Sequence, residues 1–230
     1  MKLAFVSVIC VFLLVTSSQA AIINDSFDSS LTTGWDGGST GGAASIAILG
    51  SYGGSANVLH MSGTTSYQWD SDDEAWMITN DVGRASLMQL SMVVPDGATS
   101  LTFDASAFCI NATRVGSLSG TNPSALVSIN YMRGGQSTDG IETVWIDPAN
   151  SGTLSVYSIP ITADPGSLAD ISIAITSRLD NREPNALNLD AVDVGINAYF
   201  DNFTFAVPEP CTLSLLAAGA VAITRRKRAQ

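Results

Sequence analysis

The segment Asn197-Ala-Tyr-Phe-Asp-Asn-Phe-Thr-Phe205 decides the fold class, because apolar and polar side chains alternate along most of it. A β-strand turns successive side chains to opposite faces of its sheet, so this alternation predicts a strand that is buried on one face. The same pattern returns in four other places. They are Ser86–Val94, Thr99–Ser106, Ala125–Met132 and Ile171–Ile175.

Turn-forming residues separate these runs, at Pro95-Asp-Gly97, Gly134-Gly135, Asp147-Pro148 and Asp164-Pro-Gly166. Short alternating segments divided by such turns are typical of antiparallel sheets. We expect about eight to eleven strands and no helix in this part of the chain. The prediction is an all-β fold, an antiparallel β-sandwich or jelly roll.

The chain of 230 residues divides into three segments. Residues 1–20 are interpreted as a signal peptide that forms a helix, and residues 207–230 as a sorting tail with a short hydrophobic helix. Residues 21–206 remain for folding, a length that suits one sandwich with a single core.

The folding segment is strongly acidic. Residues 21–207 hold seventeen Asp and three Glu against five Arg, no Lys and one His, so their net charge is −15. Such a field repels phosphate backbones and anionic lipid, which excludes nucleic acid as a partner of this domain. Divalent cations are the natural counter-ligands.

The N-terminal segment has the three parts of a secretory signal. Lys2 precedes an apolar run that reaches Val15, and the small residues Ser18 and Ala20 follow it. A signal peptidase accepts small residues at these positions, so we predict cleavage between Ala20 and Ala21. An uncleaved anchor is the alternative, but the apolar run is short for one.

The C-terminal segment begins at Val207-Pro-Glu-Pro210, continues through the apolar stretch Cys211–Thr224 and meets four cations at Arg225-Arg-Lys-Arg228. Prolines end the preceding strand. Fourteen helical residues span about 21 Å, which is short of a hydrocarbon core of roughly 30 Å. The tail is therefore a marginal anchor, whose basic end stays cytoplasmic by the positive-inside rule.

This tail resembles the PEP-CTERM sorting signal of Gram-negative bacteria in the order of its three parts. The resemblance implies processing by exosortase, a membrane-embedded cysteine peptidase, after transient anchoring in the inner membrane. It also implies a cell surface or extracellular-matrix destination. The residues that match are Pro208, Glu209 and Pro210 as the recognition motif, Leu213–Ile223 as the apolar segment, and Arg225, Arg226, Lys227 and Arg228 as the stop.

The two edges of the domain resemble carbohydrate-binding jelly rolls. Asn24–Asp28, followed by Gly34-Trp35, is similar to their opening strand, and Tyr199–Phe203 is similar to their closing strand. In those modules the first and last strands pair and often share a structural calcium ion. The resemblance implies that Asp28 and Asp201 are Ca²⁺ ligands.

The acidic run Asp70-Ser-Asp-Asp-Glu74 has EF-hand spacing at its first positions, and Asp81 falls at position twelve. Ala75 stands where an EF-hand loop needs Gly for its sharp turn, and the flanks are not helical in pattern. We interpret the run as a solvated acidic loop in front of a strand at Trp76–Ile78.

The sequence matches known catalytic motifs only weakly. Gly37–Gly41 matches the nucleophile-elbow pattern, but no helix pattern follows it, so we expect a flexible loop. His60, the single histidine, fits a position on a strand. Catalytic Asp or Glu residues of a surface polysaccharide hydrolase could lie among the acidic loops, and this stays the alternative to a non-catalytic protein.

Two aromatic residues suggest a binding site for a sugar. Tyr67 and Trp69 lie beside the acidic run, and we expect this pair to be exposed and to stack on a sugar ring. The preferred interpretation is an exported, structural, adhesive or glycan-binding protein whose partner is an extracellular polysaccharide.

Overall fold

The structure, a computed structural model, describes residues 27, 34–111, 123–133, 136–146, 152–164, 166–179 and 190–207. In these residues the chain forms strands and no helix. The strands are β1 Asp36–Thr40, β2 Ser45–Tyr52, β3 Ser55–Asp70, β4 Ala75–Ile78, β5 Arg84–Val93, β6 Ser100–Ile110, β7 Ser124–Arg133, β8 Gln136–Ile146, β9 Ser155–Pro160, β10 Leu168–Thr176 and β11 Ala191–Ala206.

The strands make two antiparallel sheets. The first has the order β1-β5-β10-β7-β8 and the second β2-β3-β11-β6-β9, with β4 paired to β3. Because β3 gives one edge to β11, its partners β2 and β4 lie one after the other along the opposite edge. The all-β antiparallel sandwich predicted from the sequence is confirmed.

Strand β11 lies at the centre of the second sheet and pairs with β3 on one edge and β6 on the other. Every second residue from Val192 to Phe200 is buried and faces the core, and Gly195 and Tyr199 on the other face are buried as well. The pairing with β6 then shifts between Asp201 and Thr204, where Asn202 has a positive φ of 55°. One extra residue in a strand forms a β-bulge, and after it Phe203 and Phe205 face the core.

The core lies between the sheets and is built from those inward-facing positions. One end of the core contains four aromatic rings that are fully or almost fully buried. They are Phe27, Trp35, Phe103 and Phe203. The rings of Phe103 and Phe203 stack with centroids 5.0 Å apart, and Trp35 meets Phe203 edge-on at 5.6 Å. Burial of such rings contributes about 2–3 kcal/mol each, so this end is well anchored.

Polar contacts also tie one sheet to the other. Ser177, just after β10, shares a hydrogen bond of 2.7 Å between its Oγ and Thr65 Oγ1 of β3, and also donates to the carbonyl oxygen of Gly83 at 3.0 Å. The hydroxyl of Tyr131 in β7 donates to the Pro160 carbonyl and accepts from the Thr162 amide. The contacts of Thr65 with Ser177 and of Tyr131 with Pro160 cross between the sheets. The first of them gives a hydrogen-bond partner to two hydroxyl groups that are completely buried.

One sequence expectation about the fold is wrong. Gly37–Gly41 was expected to be a flexible loop, but Gly37 to Thr40 belong to the edge strand β1, which pairs with β5. A Cβ on Gly37 would lie 2.2 Å from the Ser86 carbonyl oxygen, so the glycine allows the two backbones to approach. Glycines carry no hydrophobic alternation, and the pairing was therefore invisible in the sequence pattern.

Several predicted features lie outside the described residues. They are the signal helix, the Ala20–Ala21 cleavage site, Asp28, the Pro208–Pro210 motif, the tail helix and the basic stretch Arg225–Arg228. In the part that is described, no helix is long and apolar enough to cross a membrane.

The contact around Gly83 generates a prediction. A Cβ there would lie 2.6 Å from the Thr64 amide nitrogen and 2.9 Å from Ser177 Oγ. We expect Gly83→Ala to lower the free energy of unfolding by about 1–3 kcal/mol, because backbone atoms must shift to admit the methyl group. Urea denaturation of the full chain measures this, with Gly50→Ala as the control, since Gly50 has open space around its Cβ position. Equal stability of the two variants would contradict the close packing of Gly83.

Candidate functional site

Strands β3 and β4 form a hairpin whose loop is the acidic run. The register pairs Asp70 with Ala75, so Ser71 to Glu74 make the four-residue connection. Asp70 Oδ1 accepts hydrogen bonds from the amides of Asp72 at 2.9 Å and Asp73 at 3.4 Å, and Glu74 closes the loop with a positive φ of 47°. An Asp side chain that bonds to its own backbone two residues on is a standard turn device. Strands flank this loop on both sides, unlike the helices that flank an EF-hand loop.

Beneath the hairpin lies a second, smaller hydrophobic cluster. Its buried members are Tyr67, Leu179, Val192 and Val194, and Trp76 packs against them. The Tyr67 hydroxyl accepts a hydrogen bond of 2.8 Å from the Leu179 amide, so the polar end of the ring is satisfied inside the protein. This cluster joins the hairpin to the segment that follows β10.

The expected exposure of Tyr67 is wrong, because its side chain is completely buried. The reason is that alternate side chains of β3 point toward the inside of the fold. Met61, Thr65 and Tyr67 are on that side and are all buried. A ring in that position offers no face to a sugar. Tyr67 therefore supports the hairpin from below and is not part of an exposed surface.

Trp69, two residues further along β3, is 41% exposed. Its ring meets Trp76 of β4 edge-on, with centroids 5.7 Å apart and planes at 66°. The two residues are direct register partners in the hairpin. Packing against Trp76 holds the Trp69 ring in one orientation while much of its surface stays in contact with solvent.

An open pocket of about 320 Å³ lies at this hairpin. The residues that line it are Gln68, Trp69, Asp70, Ser71, Met77 and Thr79. Gln68, Asp70 and Met77 lie on the outer face of the hairpin by alternation, opposite to the buried Tyr67. We call this set the hairpin pocket. On the outer face it combines a thioether with four polar side chains, whereas the ring of Trp69, which packs on Trp76, lies on the other face of the hairpin.

The predicted calcium ligand Asp201 lies at the bulge of β11. It is 3% exposed, its Oδ1 accepts the Asn202 amide at 2.9 Å, and its partner across the strands is Asp104 of β6. Asn202 Nδ2 in turn donates to Asp104 Oδ2 at 2.7 Å. At the bulge, Asn202 is therefore hydrogen-bonded to the carboxylates of both Asp201 and Asp104. Among the described residues no three potential metal ligands form a group.

Sequence reasoning missed a cluster of rings on the outer face of the second sheet. Tyr199 of β11 stacks on Tyr52 at 3.6 Å and on His60 at 4.8 Å, and His60 Nε2 shares a hydrogen bond of 2.9 Å with Asn197 Oδ1. Burial and, to a lesser degree, the neighbouring Tyr52 raise the pKa of Tyr199. His60 lies on a strand face, as expected. The pairing of β3 with β11 creates this cluster, so only long-range register could have predicted it.

Comparisons with known proteins returned no matching family model and no matching curated relative. Solved structures that are similar include the enzymatically active domain of tailspike protein 4 of bacteriophage CBA120, with 12% identity and a TM-score of 0.49 over 81% of this chain and 21% of that one. A second is a carbohydrate-binding module named TmCBM61 in complex with β-1,4-galactotriose, with 10% identity and a TM-score of 0.46 over 83% and 99%.

A third is a structure of carbohydrate-binding modules from the β-sandwich superfamily, with 16% identity and a TM-score of 0.44 over 84% of this chain and 63% of that one. The chain therefore spans about a fifth of the tailspike domain and less than two thirds of this third structure. At these identities and TM-scores the similarities carry no argument about the ligand.

Proposed function

We propose that this chain is an exported, non-catalytic protein of the cell surface or extracellular matrix that binds a polysaccharide at the hairpin pocket. One observation carries the proposal: an exposed tryptophan ring, Trp69, and a group of polar side chains lie on the two faces of the same hairpin end. The polar side chains are Gln68, Asp70, Ser71 and Thr79. Sugars offer apolar C–H faces that stack on aromatic rings and hydroxyl groups that need hydrogen-bond partners. The end of the hairpin supplies both kinds of contact, the ring from Trp69 and the hydrogen-bond partners from the polar side chains of the pocket.

The shape of the site supports a polymer as the ligand. The pocket is open to solvent and lies on a two-strand extension of the sheet, so a long chain can pass through it without an end having to enter. Its volume of about 320 Å³ is enough to hold one or two sugar rings. Holding a chain in this way requires no catalytic residue.

Substitution of Trp69 tests the binding proposal. We expect Trp69→Ala to weaken binding of polysaccharide to the full chain by about five- to thirtyfold, since loss of an aromatic anchor typically costs about 1–2 kcal/mol. Affinity electrophoresis in gels that contain candidate polysaccharides measures the change in mobility. The control is Met88→Ala, which removes a similarly exposed apolar side chain from the other sheet. Equal retardation of wild type and Trp69→Ala would rule out the hairpin pocket as the binding site.

The arrangement of β11 supports a role for the tail in display. β11 begins at Ala191, which pairs with Gln68 of the hairpin, and ends at Ala206, which pairs with Ser100. At about 3.3 Å per residue its two ends are about 50 Å apart. Val207, the first residue of the tail, thus lies at the end of the domain opposite to the hairpin pocket. A protein held in the membrane by this tail would present its pocket to the outside.

The tail proposal has its own test in the native host. We expect replacement of Pro208-Glu-Pro210 by alanines to leave a larger precursor in the inner membrane, because the motif that exosortase would recognise is gone. Replacement of Arg225–Arg228 should instead weaken retention and orientation, since the positive-inside signal is lost. Cell fractionation and mass measurement distinguish the two. Unchanged mass and location in both variants would remove the sorting proposal.

Calcium is proposed as a structural ion at the bulge of β11. Asp201 is buried and faces Asp104 across the strands, so two like charges lie close together in the folded state. Binding of a divalent cation would offset part of that repulsion, and oxygen ligands of this kind suit Ca²⁺. Asp28, the second ligand implied by the resemblance to carbohydrate-binding jelly rolls, remains part of this proposal and lies outside the described residues.

Thermal unfolding of the full chain tests the calcium proposal. We expect millimolar Ca²⁺ to raise Tm by several degrees, because a ligand at a hundredfold excess over Kd stabilises the folded state by about 2.7 kcal/mol. Asp201→Asn should abolish this rise, since it removes a charged ligand but keeps an oxygen that accepts the Asn202 amide. Asp72→Asn, in the exposed hairpin loop, should keep it. If Asp201→Asn responds like the wild type, or if sodium chloride of equal ionic strength has the same effect, the bulge holds no calcium.

A further inference from the structure

The outer face of the first sheet exposes a row of large apolar side chains. Met88 and Leu90 of β5 alternate with buried residues of the same strand. Val93 returns to this face after a bulge at Ser91, whose φ is 55°, and it pairs with Leu168 of β10. We call Met88, Leu90, Val93 and Leu168 the apolar stripe. Their exposed fractions lie between 39% and 54%. Neighbouring exposed apolar side chains of this kind mark an interaction surface.

The C-terminal segment of the chain starts close to one end of this stripe. Val93 leads into the turn after β5, in which the Ala98 amide donates to the Pro95 carbonyl oxygen at 3.1 Å. A Cβ on Gly97 in this turn would lie 3.7 Å from Val207 Cγ1. The first residue of the tail therefore lies against the turn in which the stripe ends.

The residues that follow Val207 are numerous enough to reach the outer face. Residues 208–212 extend over at most about 17 Å. The two packed sheets are about 10 Å apart, so this length is enough to pass from the second sheet around the end of the first. The apolar segment Leu213–Ile223 would then begin beside Val93.

The apolar segment also matches the stripe in length and pattern. As the helix that its sequence predicts, Leu213–Ile223 is about 16 Å long. The stripe measures about 16 Å from Met88 to Val93 at 3.3 Å per residue. Leu216 falls on the same face of such a helix as the first and last residues of the segment, so one continuous apolar face can lie along the stripe.

Charge favours this segment over a second copy of the chain or a bilayer. Asp36, which pairs with Met88, and Asp170, which accepts the Ser91 amide, lie on the same face, and Arg84 lies at its far end. The domain has a net charge of −15, whereas the tail ends in four cations. A second copy would bring the same carboxylates to the contact, and anionic lipid is repelled by them.

From these observations we propose that the apolar stripe is the docking surface of this chain's own apolar segment, Leu213–Ile223, when that segment is outside a bilayer. Docking covers the apolar side chains of both partners, which would otherwise be in contact with water. A tail that is docked cannot be inserted at the same time, so the stripe controls how readily the tail enters a membrane. The proposal goes beyond the polysaccharide binding proposed above and does not depend on it.

Photo-crosslinking identifies what covers the stripe. The exported chain is used, with the signal peptide removed and the tail retained, and a benzophenone amino acid replaces Leu90. The same probe in place of Val156 is the control, because that side chain is 76% exposed on β9 of the other sheet. After irradiation in dilute, detergent-free buffer, gel electrophoresis and peptide mass mapping locate the adducts. We expect the probe at position 90 to join residues 211–223 of the same chain, and the control probe to leave them unmodified.

Binding to phosphatidylcholine vesicles measures the competition between the stripe and a bilayer. We expect the combined change Leu90→Glu and Val93→Glu to raise the apparent vesicle affinity about tenfold, which corresponds to a tail that is docked in about nine of ten wild-type molecules. The matched control combines Val156→Glu with Ile110→Glu, two exposed positions of the second sheet, and should leave the affinity unchanged. Circular dichroism checks that both variants are folded.

Other occupants of the stripe would give different results. A covalent dimer formed by the probe at position 90 would show that a second copy lies on the stripe. A vesicle affinity that falls in the variant with Leu90→Glu and Val93→Glu would show that the stripe itself contacts the bilayer. Either result overturns the proposal, as do an unchanged vesicle affinity, the lack of an adduct with residues 211–223, or an exported chain that occurs only as aggregates.

Discussion

The rest of the structure depends on the burial of one face of β11 while both of its edges are paired. Its inward side chains from Ile196 to Phe200 belong to the core between the sheets, and Val192 and Val194 pack with Leu179, which follows β10. Its backbone is hydrogen-bonded to β3 and to β6. A one-residue slip of β3 or β6 against β11 would turn the buried side chains of the slipped strand, such as Met61 or Phe103, toward water. The register of β3 is therefore set by β11, and with it the position of everything that β3 carries.

The position of the hairpin formed by β3 and β4 is a consequence of the register between β3 and β11. Because Ala191 pairs with Gln68, the last residues of β3 stand at the start of β11, where β4 can join the free edge of β3. Tyr67 is still covered there and bonds to the Leu179 amide, whereas Trp69 is not fully covered. A rigid, buried support beneath a partly exposed tryptophan lowers the entropy lost when a ligand is bound.

The large negative charge of this domain affects the free energy of folding. Between residues 21 and 207 the net charge is −15, so folding brings carboxylates together against their mutual repulsion. At the β11 bulge two of them converge around Asn202, where a cation would relieve the repulsion. At the hairpin loop the carboxylates of Asp72, Asp73 and Glu74 stay exposed, where water screens their mutual repulsion.

The amino-acid sequence by itself determined the fold class, because the alternation in the segments of β5, β6, β7, β10 and β11 can be satisfied only by strands with one buried face. It also determined the charge of the domain and the place of the acidic run in a loop before a strand. The sequence did not reveal β1, since glycines carry no alternation, nor the change of phase at Asn202, since a bulge depends on how one strand meets its partner.

Only the tertiary structure decided which face of each strand is covered. Tyr67 and Trp69 have the same phase on β3 and similar chemistry, yet one is fully buried and the other 41% exposed. The stack of Tyr52 and His60 on Tyr199 likewise joins residues from three strands. Alternation predicts that a strand has two faces. Whether a given side chain is buried depends on contacts with residues far away in the chain, and these contacts form only when the two sheets pack together.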